Sequence, residues 1–368
     1  MAKKMNIPLS KVYVDDDIKK AVSDVLDSEW YILGDRVREF EQKFAAFCDT
    51  KSAVCASSGT AAIFLSLMAL DIGPGDEVMI PSFSFFATAS PILHRGAKPI
   101  FLDIDLETYT IPLSEIEMKI SKRTKAIMPV HLYGHPADMD PIMEFAEERG
   151  LFVIEDACQA HGAEYKTRKT GGIGHLGCFS FYPSKNMTVC GDGGIVTTND
   201  EELAEKVRML RNHGRTQKYV HDIVGYNLRF NEIQAAIGIK QLEKLPDWNA
   251  TRRKFAKKYT ELLKDFVVVP KEASWAKSVY HMYVIRTQMR DKLREFLKNN
   301  GVSTGIHYPV PIHRQPAITD VLGGQPALRN TEFAAETVLS LPLHPQIDAE
   351  SVEYVVASIQ HFFEDVGT

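Results

Sequence analysis

The feature that most constrains this chain is an alternation, through its first two thirds, of short apolar runs with longer amphipathic patterns of helical period. Strands that alternate with helices are typical of a mostly parallel sheet flanked by helices. We therefore expect an α/β fold with a seven-stranded sheet. Helices are predicted at Ala61–Leu70, Met139–Glu148 and Glu201–Leu210. The predicted strands are Ala53–Ala56, Glu77–Ile80, Pro99–Leu102, Ala126–Val130, Phe152–Glu155, Gly177–Phe181 and Gly194–Thr198.

The pattern changes near Pro246. A helical pattern runs from Asn231 to Lys264 with one expected break at Pro246-Asp247, and beyond it the chain is more charged and alternates less regularly. A length of 368 residues suggests about two domains. We predict a large domain over residues 1–245 and a smaller α+β domain over 246–368. Its predicted elements are strands at Val267–Val269 and Tyr280–Arg286, a helix near Met289–Asn299 and a last helix from Ala349.

Composition excludes several classes of function. With 43 Lys+Arg against 48 Asp+Glu the net charge is −5, and no basic block offers a nucleic-acid footprint. The five cysteines show no CxxC pair, which argues against a disulfide framework or a zinc site, so no metal is expected. The stretch Ser52–Leu70 carries no charge, but the polar segment Ser57–Thr60 divides it. The apolar pieces that remain are too short to span a membrane. Without an apolar N-terminal leader, we expect a cytoplasmic protein.

Lys185 stands apart from the other lysines. It follows the strand-like run Cys178–Phe181, whereas lysines such as Lys254 lie in amphipathic, solvent-facing patterns. In apolar surroundings, desolvation lowers the pKa of an ammonium group, and a neutral amine can form a Schiff base with a carbonyl. A lysine that caps a loop or pairs with Asp192 is the alternative interpretation.

A carboxylate pair follows another predicted strand. Glu155-Asp156 ends the run Leu151–Ile154, and ligands of open α/β sheets gather at the carboxyl ends of strands. A carboxylate there could hold the protonated ring nitrogen of pyridoxal phosphate, and Gln159 could reach the ring hydroxyl. A surface acidic pair that opens a turn is the alternative.

Two more segments complete such a site. Ser57–Thr60 precedes a predicted helix, so its backbone N–H groups and the helix dipole could bind a phosphate, with help from the Ser180 hydroxyl. An ordinary N-cap is compatible with this role. Pro81–Phe86 supplies an aromatic ring that could stack on the cofactor, although core packing must account for at least one of its phenylalanines.

The segment Gly172–Gly177 matches G-x-G-x-x-G, the dinucleotide-binding pattern. That pattern requires a preceding strand and a following helix. Here polar Lys166–Thr170 precedes the glycines and a strand pattern follows them, which argues against NAD binding.

Seven motifs follow one another along the whole chain: Trp30–Gly34, Ser58–Ala62, Pro81–Phe85, Glu155–Gly162, Cys178–Asn186, Gly225–Phe230 and His307–Pro309. Taken together, and in this order, they resemble the DegT/DnrJ/EryC1/StrS family of sugar aminotransferases. A branch of that family carries histidine at the lysine position and acts as a dehydratase, so Lys185 favours transamination.

The resemblance implies a fold type I pyridoxal-phosphate enzyme, a homodimer with shared active sites. Lys185 would be the Schiff-base lysine and the catalytic proton carrier. Glutamate would give its amine to the cofactor and leave as 2-oxoglutarate, and the pyridoxamine phosphate so formed would aminate a nucleotide-linked ketosugar. The implied cofactor contacts are Asp156 at the ring nitrogen, Gln159 at the ring oxygen, Phe85 on the ring face, Gly59, Thr60 and Ser180 at the phosphate, and Asn227 from the other subunit.

The resemblance also bears on the substrate. Segments Trp30–Gly34, His307–His313 and Ser340–Pro345 are similar to members that aminate C3 of the sugar, whereas Gly225–Gly238 is similar to C4-aminating members about equally. We favour a UDP- or dTDP-linked 3-ketosugar as acceptor.

Candidate substrate contacts are Arg229, His307 and Tyr308, and Arg229 could pair with a uronate carboxylate. An interface salt bridge for Arg229 and a structural hydrogen bond for His307 are the alternatives. For the protein as a whole, an amino-acid-directed fold type I enzyme and a cofactor-binding regulator remain possible.

Overall fold

In a computed structural model, which describes residues 5–28 and 30–366, the chain folds as an α/β protein. Its strands are β1 Ser52–Ala56, β2 Glu77–Pro81, β3 Lys98–Leu102, β4 Thr124–Ile127, β5 Phe152–Asp156, β6 Glu164–Tyr165, β7 Arg168–Lys169, β8 Leu176–Ser180, β9 Gly194–Thr198, β10 Arg215–Gln217, β11 Val220–His221, β12 Ala276–Lys277, β13 Tyr283–Arg286 and β14 Val338–Leu341. Its helices are α1 Asp16–Asp27, α2 Asp35–Phe47, α3 Gly59–Ala69, α4 Ser90–His94, α5 Leu113–Lys119, α6 Met139–Arg149, α7 Glu201–Leu210, α8 Glu232–Leu263, α9 Arg290–Asn299, α10 Pro316–Leu322, α11 Arg329–Thr337 and α12 Ala349–Val366.

The central sheet has seven strands in the order β1-β9-β8-β5-β4-β2-β3. Only β9 runs against the others, since it pairs antiparallel with both β1 and β8. The predicted seven-stranded, mostly parallel sheet is therefore confirmed, and each of the seven strands predicted for it overlaps an observed one. The six parallel strands end at one edge of the sheet, and that edge carries the site described below.

Helices cover both faces of the sheet, as a parallel sheet requires. On one face α3 is apolar around most of its circumference and packs between the sheet and α7. On the other face α2 and the first half of α8 enclose a cluster rich in phenylalanine, in which the Phe44 ring lies edge-on to Phe179 and Phe181. Both faces of the central strands are thereby removed from water.

The helix α8 runs unbroken through Pro246, so the expected break is wrong. A proline inside a helix removes one backbone hydrogen bond and costs roughly 3 kcal/mol. Here Leu245 and Trp248 are buried on either side of it. The packing of α8 against two cores maintains the helix.

The second half of α8 packs on a separate apolar cluster with α9, α12 and the antiparallel pair β13–β14. Ile7 joins this cluster through a bridge to Val302, so the first described residues lie against the C-terminal part. The predicted strand at Val267–Val269 is reduced to one bridge between Val268 and Arg286. A domain boundary near Pro246 stays a prediction. No helix within the described ranges is both long enough and apolar enough to cross a bilayer.

Candidate active site

A cleft of about 380 Å³ opens where the chain leaves the carboxyl ends of β1, β2, β5 and β8. The segments that follow these strands carry the predicted motifs, so the sheet itself brings them together. Of the residues predicted to bind cofactor or substrate, those that line the cleft are Gly59, Thr60, Phe85, Asp156, Gln159, Ser180, Lys185, His307 and Tyr308.

Lys185 lies in the loop after β8 and is half-buried. Its amine has no hydrogen-bond or ion-pair partner within the part of the chain that the structure describes. Burial lowers the pKa of Lys185, and the charges of Cys158 and Asp156 oppose that shift only in part. A lysine with a free amine and a depressed pKa is suited to attack a carbonyl. The alternative pairing with Asp192 is not observed.

Asp156 ends β5 on the floor of the cleft and is 5% exposed, so a surface acidic pair is excluded. Its Oδ2 accepts a hydrogen bond from Thr88 Oγ1 at 2.8 Å, and Thr88 Oγ1 is itself 2.8 Å from Ser84 Oγ. The backbone N–H of Cys158 donates to Oδ1 at 3.2 Å. These donors orient the carboxylate toward the cleft.

Glu155 points to the opposite face of β5, because successive side chains alternate along a strand. Backbone N–H groups of Gly171, Ile173 and Gly174 donate to its carboxylate at 2.7, 2.7 and 2.6 Å. His131 accepts the backbone N–H of Ala137 at Nδ1, so its proton is on Nε2, which donates to Glu155 at 2.9 Å. Two of the glycine-loop amides that resembled a dinucleotide site thus bind an internal carboxylate.

The bonds to Glu155 predict that its contribution to the free energy of unfolding depends on pH. Burial alone would raise the pKa of Glu155, but the bonds from His131, Gly174 and Gly171 outweigh it and hold the pKa below its usual value. A lowered pKa in the folded state stabilises the fold above the unfolded pKa of about 4.3, and this stability is lost as pH falls through the folded pKa.

We expect Glu155→Gln to lower the free energy of unfolding by about 1–3 kcal/mol at pH 7 and by less near pH 3, because the replaced interaction is with the charged form. Urea unfolding at both pH values measures the difference. Glu117→Gln, at an exposed position, is the matched control. An equal loss at both pH values would show that the charge of Glu155 does not contribute.

The phosphate-binding geometry centres on the start of α3. The Ser58 hydroxyl caps the helix by accepting from Ala61 N at 3.0 Å, which confirms the N-cap interpretation. A Cβ on Gly59 would lie 2.6 Å from Ser180 Cβ, so only glycine lets the helix approach the end of β8 this closely. The helix N-terminus and the Ser180 hydroxyl therefore form adjacent walls of the cleft, and a helix N-terminus favours anions.

Aromatic and amide groups also line the cleft. Gln159 accepts from Tyr133 N at 2.9 Å and donates to the Tyr308 hydroxyl at 3.1 Å. The Phe85 ring is 56% exposed, with its centroid 5.9 Å from that of Tyr308. Core packing accounts for Phe83, which is fully buried, but not for Phe85. A flat ring could lie against Phe85.

Asn227 and Arg229 do not line this cleft. Arg229 Nε donates to Asn227 Oδ1 at 2.9 Å, and Asn227 forms a β-bridge with Asn212. They follow the β10–β11 hairpin. Tyr219 in its turn is 81% exposed, and Val224 just after it is 86% exposed. Within one chain, Asn227 and Arg229 therefore lie apart from the nine other residues predicted to bind cofactor or substrate, all of which line the cleft.

Sequence reasoning missed several residues that the structure brings to the cleft. Thr88 is the one residue with a side-chain hydroxyl among the three that follow Phe85. Nothing in the sequence indicates that this hydroxyl donates to Asp156. His281 lies at the start of the predicted strand Tyr280–Arg286, where a buried imidazole in an apolar run is a signal of a specific contact.

These side chains fit pyridoxal phosphate part by part. An unpartnered amine suits its carbonyl, a buried carboxylate suits its ring nitrogen, and a helix N-terminus with a serine hydroxyl suits its phosphate. An exposed aromatic ring and an amide are available for the ring face and the ring oxygen. Among the residues described, no group of His, Cys, Asp and Glu is arranged to hold a metal ion.

Comparisons with known proteins agree with this chemistry. A relative named "Pleiotropic regulatory protein" from Geobacillus stearothermophilus is 43% identical over 98% of this chain and 99% of its own. A Streptomyces venezuelae protein named dTDP-3-amino-3,4,6-trideoxy-alpha-D-glucose transaminase is 42% identical, over 94% of this chain and 92% of its own. The crystal structure of S. venezuelae DesV in complex with a ketimine intermediate superposes with a TM-score of 0.95 at 40% identity, covering 98% of this chain and 99% of that one.

The family model for DegT/DnrJ/EryC1/StrS aminotransferases matches residues 12–360. The predicted fold type I architecture, pyridoxal phosphate as cofactor and transaminase activity are confirmed. The match covers nearly the whole chain and agrees with the sheet and the cleft described above. The chain belongs to the DegT/DnrJ/EryC1/StrS aminotransferase family.

Proposed function

We propose that this aminotransferase moves an amino group from L-glutamate to C3 of a nucleotide-linked 3-ketosugar, with 2-oxoglutarate as the other product. The observation that carries the proposal is the free amine of Lys185 in one cleft with Asp156 and the helix N-terminus at Gly59. Similarity along nearly the whole chain to a protein named for a 3-amino sugar nucleotide supports the choice of C3. Either a UDP- or a dTDP-linked sugar fits this proposal.

Each cleft residue has a distinct task in it. The chemistry that pyridoxal phosphate supplies when bound is the storage of an amino group, as pyridoxamine phosphate, and the stabilisation of negative charge at the substrate carbon. Lys185 would bind the cofactor carbonyl and would carry a proton at Nζ to and from the substrate carbon. Asp156 would hold a proton on the ring nitrogen. The remaining contacts are Gly59, Thr60 and Ser180 at the phosphate, Gln159 at the ring oxygen and Phe85 on the ring face.

Two further residues complete the site from a second copy of the chain. Asn227 would reach the cofactor phosphate of the partner, and Arg229 would bind an anionic part of the sugar nucleotide. Their position outside their own cleft, beside a hairpin with exposed apolar side chains, supports this exchange. His307 and Tyr308, which line the cleft of their own chain, would contact the sugar. The functional unit is then a homodimer.

A mixture of inactive variants tests the shared site. Lys185→Ala and Asn227→Ala homodimers are each expected to show strongly reduced activity. Unfolding and refolding them together should restore about a quarter of wild-type activity, because half of the dimers are mixed and each has one intact site. Transaminase assays before and after mixing measure the gain. The control mixes Lys185→Ala with Asp156→Asn. Both residues would come from the same subunit of each site, so every site in a mixed dimer would carry one of the two substitutions and no activity should be restored. Activity that stays at the parental level in the first mixture would contradict a shared site.

Alternatives predict different donors and acceptors. A C4-directed enzyme would accept 4-keto sugar nucleotides, an amino-acid enzyme would accept 2-oxo acids generally, and a regulator of the kind that one relative's name describes would show no turnover. The net charge of −5 gives no overall attraction for an anionic nucleotide, so local donors such as Arg229 must bind it.

We place the enzyme in the cytoplasm, where its five free cysteines would remain reduced.

The donor half of the reaction is tested with the purified enzyme alone. Glutamate should convert the yellow, lysine-bound cofactor to the colourless pyridoxamine form and release one 2-oxoglutarate per site. Absorbance spectra and mass spectrometry of the released acid follow both events. Retention of the yellow colour in glutamate, with bleaching by another amino acid, would contradict the proposed donor. No bleaching by any amino acid would favour a regulator.

A further inference from the structure

A chain of buried amides lies directly beside Lys185. Asn249 of α8 donates from Nδ2 to the backbone carbonyl of His161 at 2.8 Å, so its Oδ1 is free to accept. Asn186, the residue after Lys185, donates from Nδ2 to Asn249 Oδ1 at 2.9 Å and to the carbonyl of Val279 at 3.1 Å. Because both of those partners can only accept, the orientation of the Asn186 amide is fixed, and its Oδ1 is an acceptor.

His281 is held by that acceptor. Its Nδ1 lies 3.1 Å from Asn186 Oδ1, so Nδ1 carries the proton of the ring. Arg252 holds the backbone of His281 by donating to its carbonyl at 3.2 Å. Burial, followed by the nearby charges of Lys185 and Arg252, lowers the pKa of His281 well below its ordinary value. The imidazole is therefore neutral near pH 7, and Nε2 presents a lone pair.

That lone pair has no partner within the described residues, although Nε2 is buried. His281 lines the main cleft together with Lys185, and it shares with Ser184 a side cavity of about 70 Å³. The imidazole of His281 thus contacts Asn186, the residue after Lys185. Ser184, the residue before Lys185, lines the same two cavities as His281. An unpaired buried acceptor and an unpaired amine adjoin the same space, and a buried acceptor without a donor is costly.

We propose that His281 is a positioning residue whose Nε2 accepts a hydrogen bond from the amine of Lys185 whenever that amine is not bound to the cofactor. This rests on the proposed role of Lys185. The contact would direct the amine during proton transfer and would stabilise its protonated form. The other titratable groups that act on these two side chains are Asp156, Cys158, His161, His307 and Arg252.

Two conservative variants separate the two ring nitrogens. His281→Asn places its amide near the position of Nδ1, so it can keep the bond to Asn186 but leaves the cleft without the acceptor. His281→Gln reaches the position of Nε2 and keeps an acceptor in the cleft, but it abandons Asn186. A purely structural role predicts harm from the Gln variant alone, whereas the proposal predicts a change at Lys185 from the Asn variant.

The readout is the ionisation of Lys185 in the full-length protein without cofactor. Brief acetic anhydride labelling across pH, with mass spectrometry of the Lys185 peptide, gives a midpoint that does not depend on access to the amine. We expect His281→Asn to raise the acid dissociation constant of the Lys185 ammonium about tenfold, because a charge-assisted hydrogen bond is lost. His281→Gln should keep the wild-type midpoint but unfold at a lower temperature. His175→Gln, at a half-buried histidine that does not line the cleft and is not among those groups, should not move the midpoint.

An unchanged midpoint in His281→Asn would overturn the proposal. If that variant does not fold, ¹⁵N NMR of the imidazoles in the wild-type protein decides instead, since a proton on Nε2 of His281 excludes the contact and a proton on Nδ1 supports it. Neither measurement uses a sugar or an amino acid. A wrong substrate would therefore leave the result intact, whereas failure of Lys185 to bind pyridoxal phosphate would refute the proposed function without altering the midpoint.

Discussion

Replacement of Lys185 by alanine is expected to abolish the yellow colour of the enzyme and to reduce transaminase turnover by about 10⁴-fold or more. By the proposed roles, the variant would lose both the amine that binds the cofactor carbonyl and the group that carries the proton. Acid–base catalysis alone contributes roughly 10²–10⁴-fold. Absorbance after reconstitution with pyridoxal phosphate and a coupled assay of 2-oxoglutarate measure the two losses separately.

The matched control is Lys254→Ala, which removes an exposed lysine from α8 and should change neither quantity. Bound pyridoxal phosphate should still be detectable in Lys185→Ala, because the proposed phosphate contacts at Gly59 and Ser180 would remain. A yellow, active Lys185→Ala enzyme would mean that another amine binds the cofactor.

Replacement of Asp156 by asparagine is the second large effect. The amide has nearly the same shape, so Thr88 and the Cys158 N–H can still find an acceptor oxygen. In the proposed mechanism Asp156 holds the proton of the ring nitrogen. An amide could not do so, and negative charge at the substrate carbon would then be less stabilised. We expect kcat to fall by about 10²–10³-fold, the range for loss of one electrostatic contact in an active site.

The neighbouring residue provides the control. Glu155→Gln changes the same chemical group one position earlier, on the opposite face of β5, and should lower stability while leaving kcat near the wild-type value. Stopped-flow absorbance in glutamate compares the chemical step in the two variants. Equal rates for Asp156→Asn and wild type would show that the carboxylate of Asp156 does not act on the cofactor ring.

Much of the fold could be predicted because the strands of a parallel sheet are buried on both faces. Their apolar runs stand out from the amphipathic helices between them, and Glu201–Leu210 was predicted with the bounds that α7 has. The helix α8 was not predicted correctly at Pro246. The local cost of a proline is visible in sequence, but the burial of Leu245 and Trp248 that offsets it depends on distant residues.

The cleft was predictable where a residue type at a strand end has few other uses, as for Lys185 and Asp156. Partners at long sequence separation were not, because nothing local connects Thr88 with Asp156 or Asn186 with His281. The glycine pattern at Gly172–Gly177 illustrates the same limit. Its context excluded a dinucleotide site, but only the folded chain shows that its amides surround Glu155.

The most direct test of the account is the acceptor half of the reaction. Enzyme bleached with glutamate and freed of excess amino acid is mixed with a dTDP- or UDP-linked 3-ketosugar, with the matching 4-ketosugar, or with pyruvate. The account predicts that the yellow colour returns with the 3-ketosugar and that mass spectrometry finds one 3-amino sugar nucleotide per site. Return of the colour with pyruvate or the 4-ketosugar, and not with the 3-ketosugar, would contradict it.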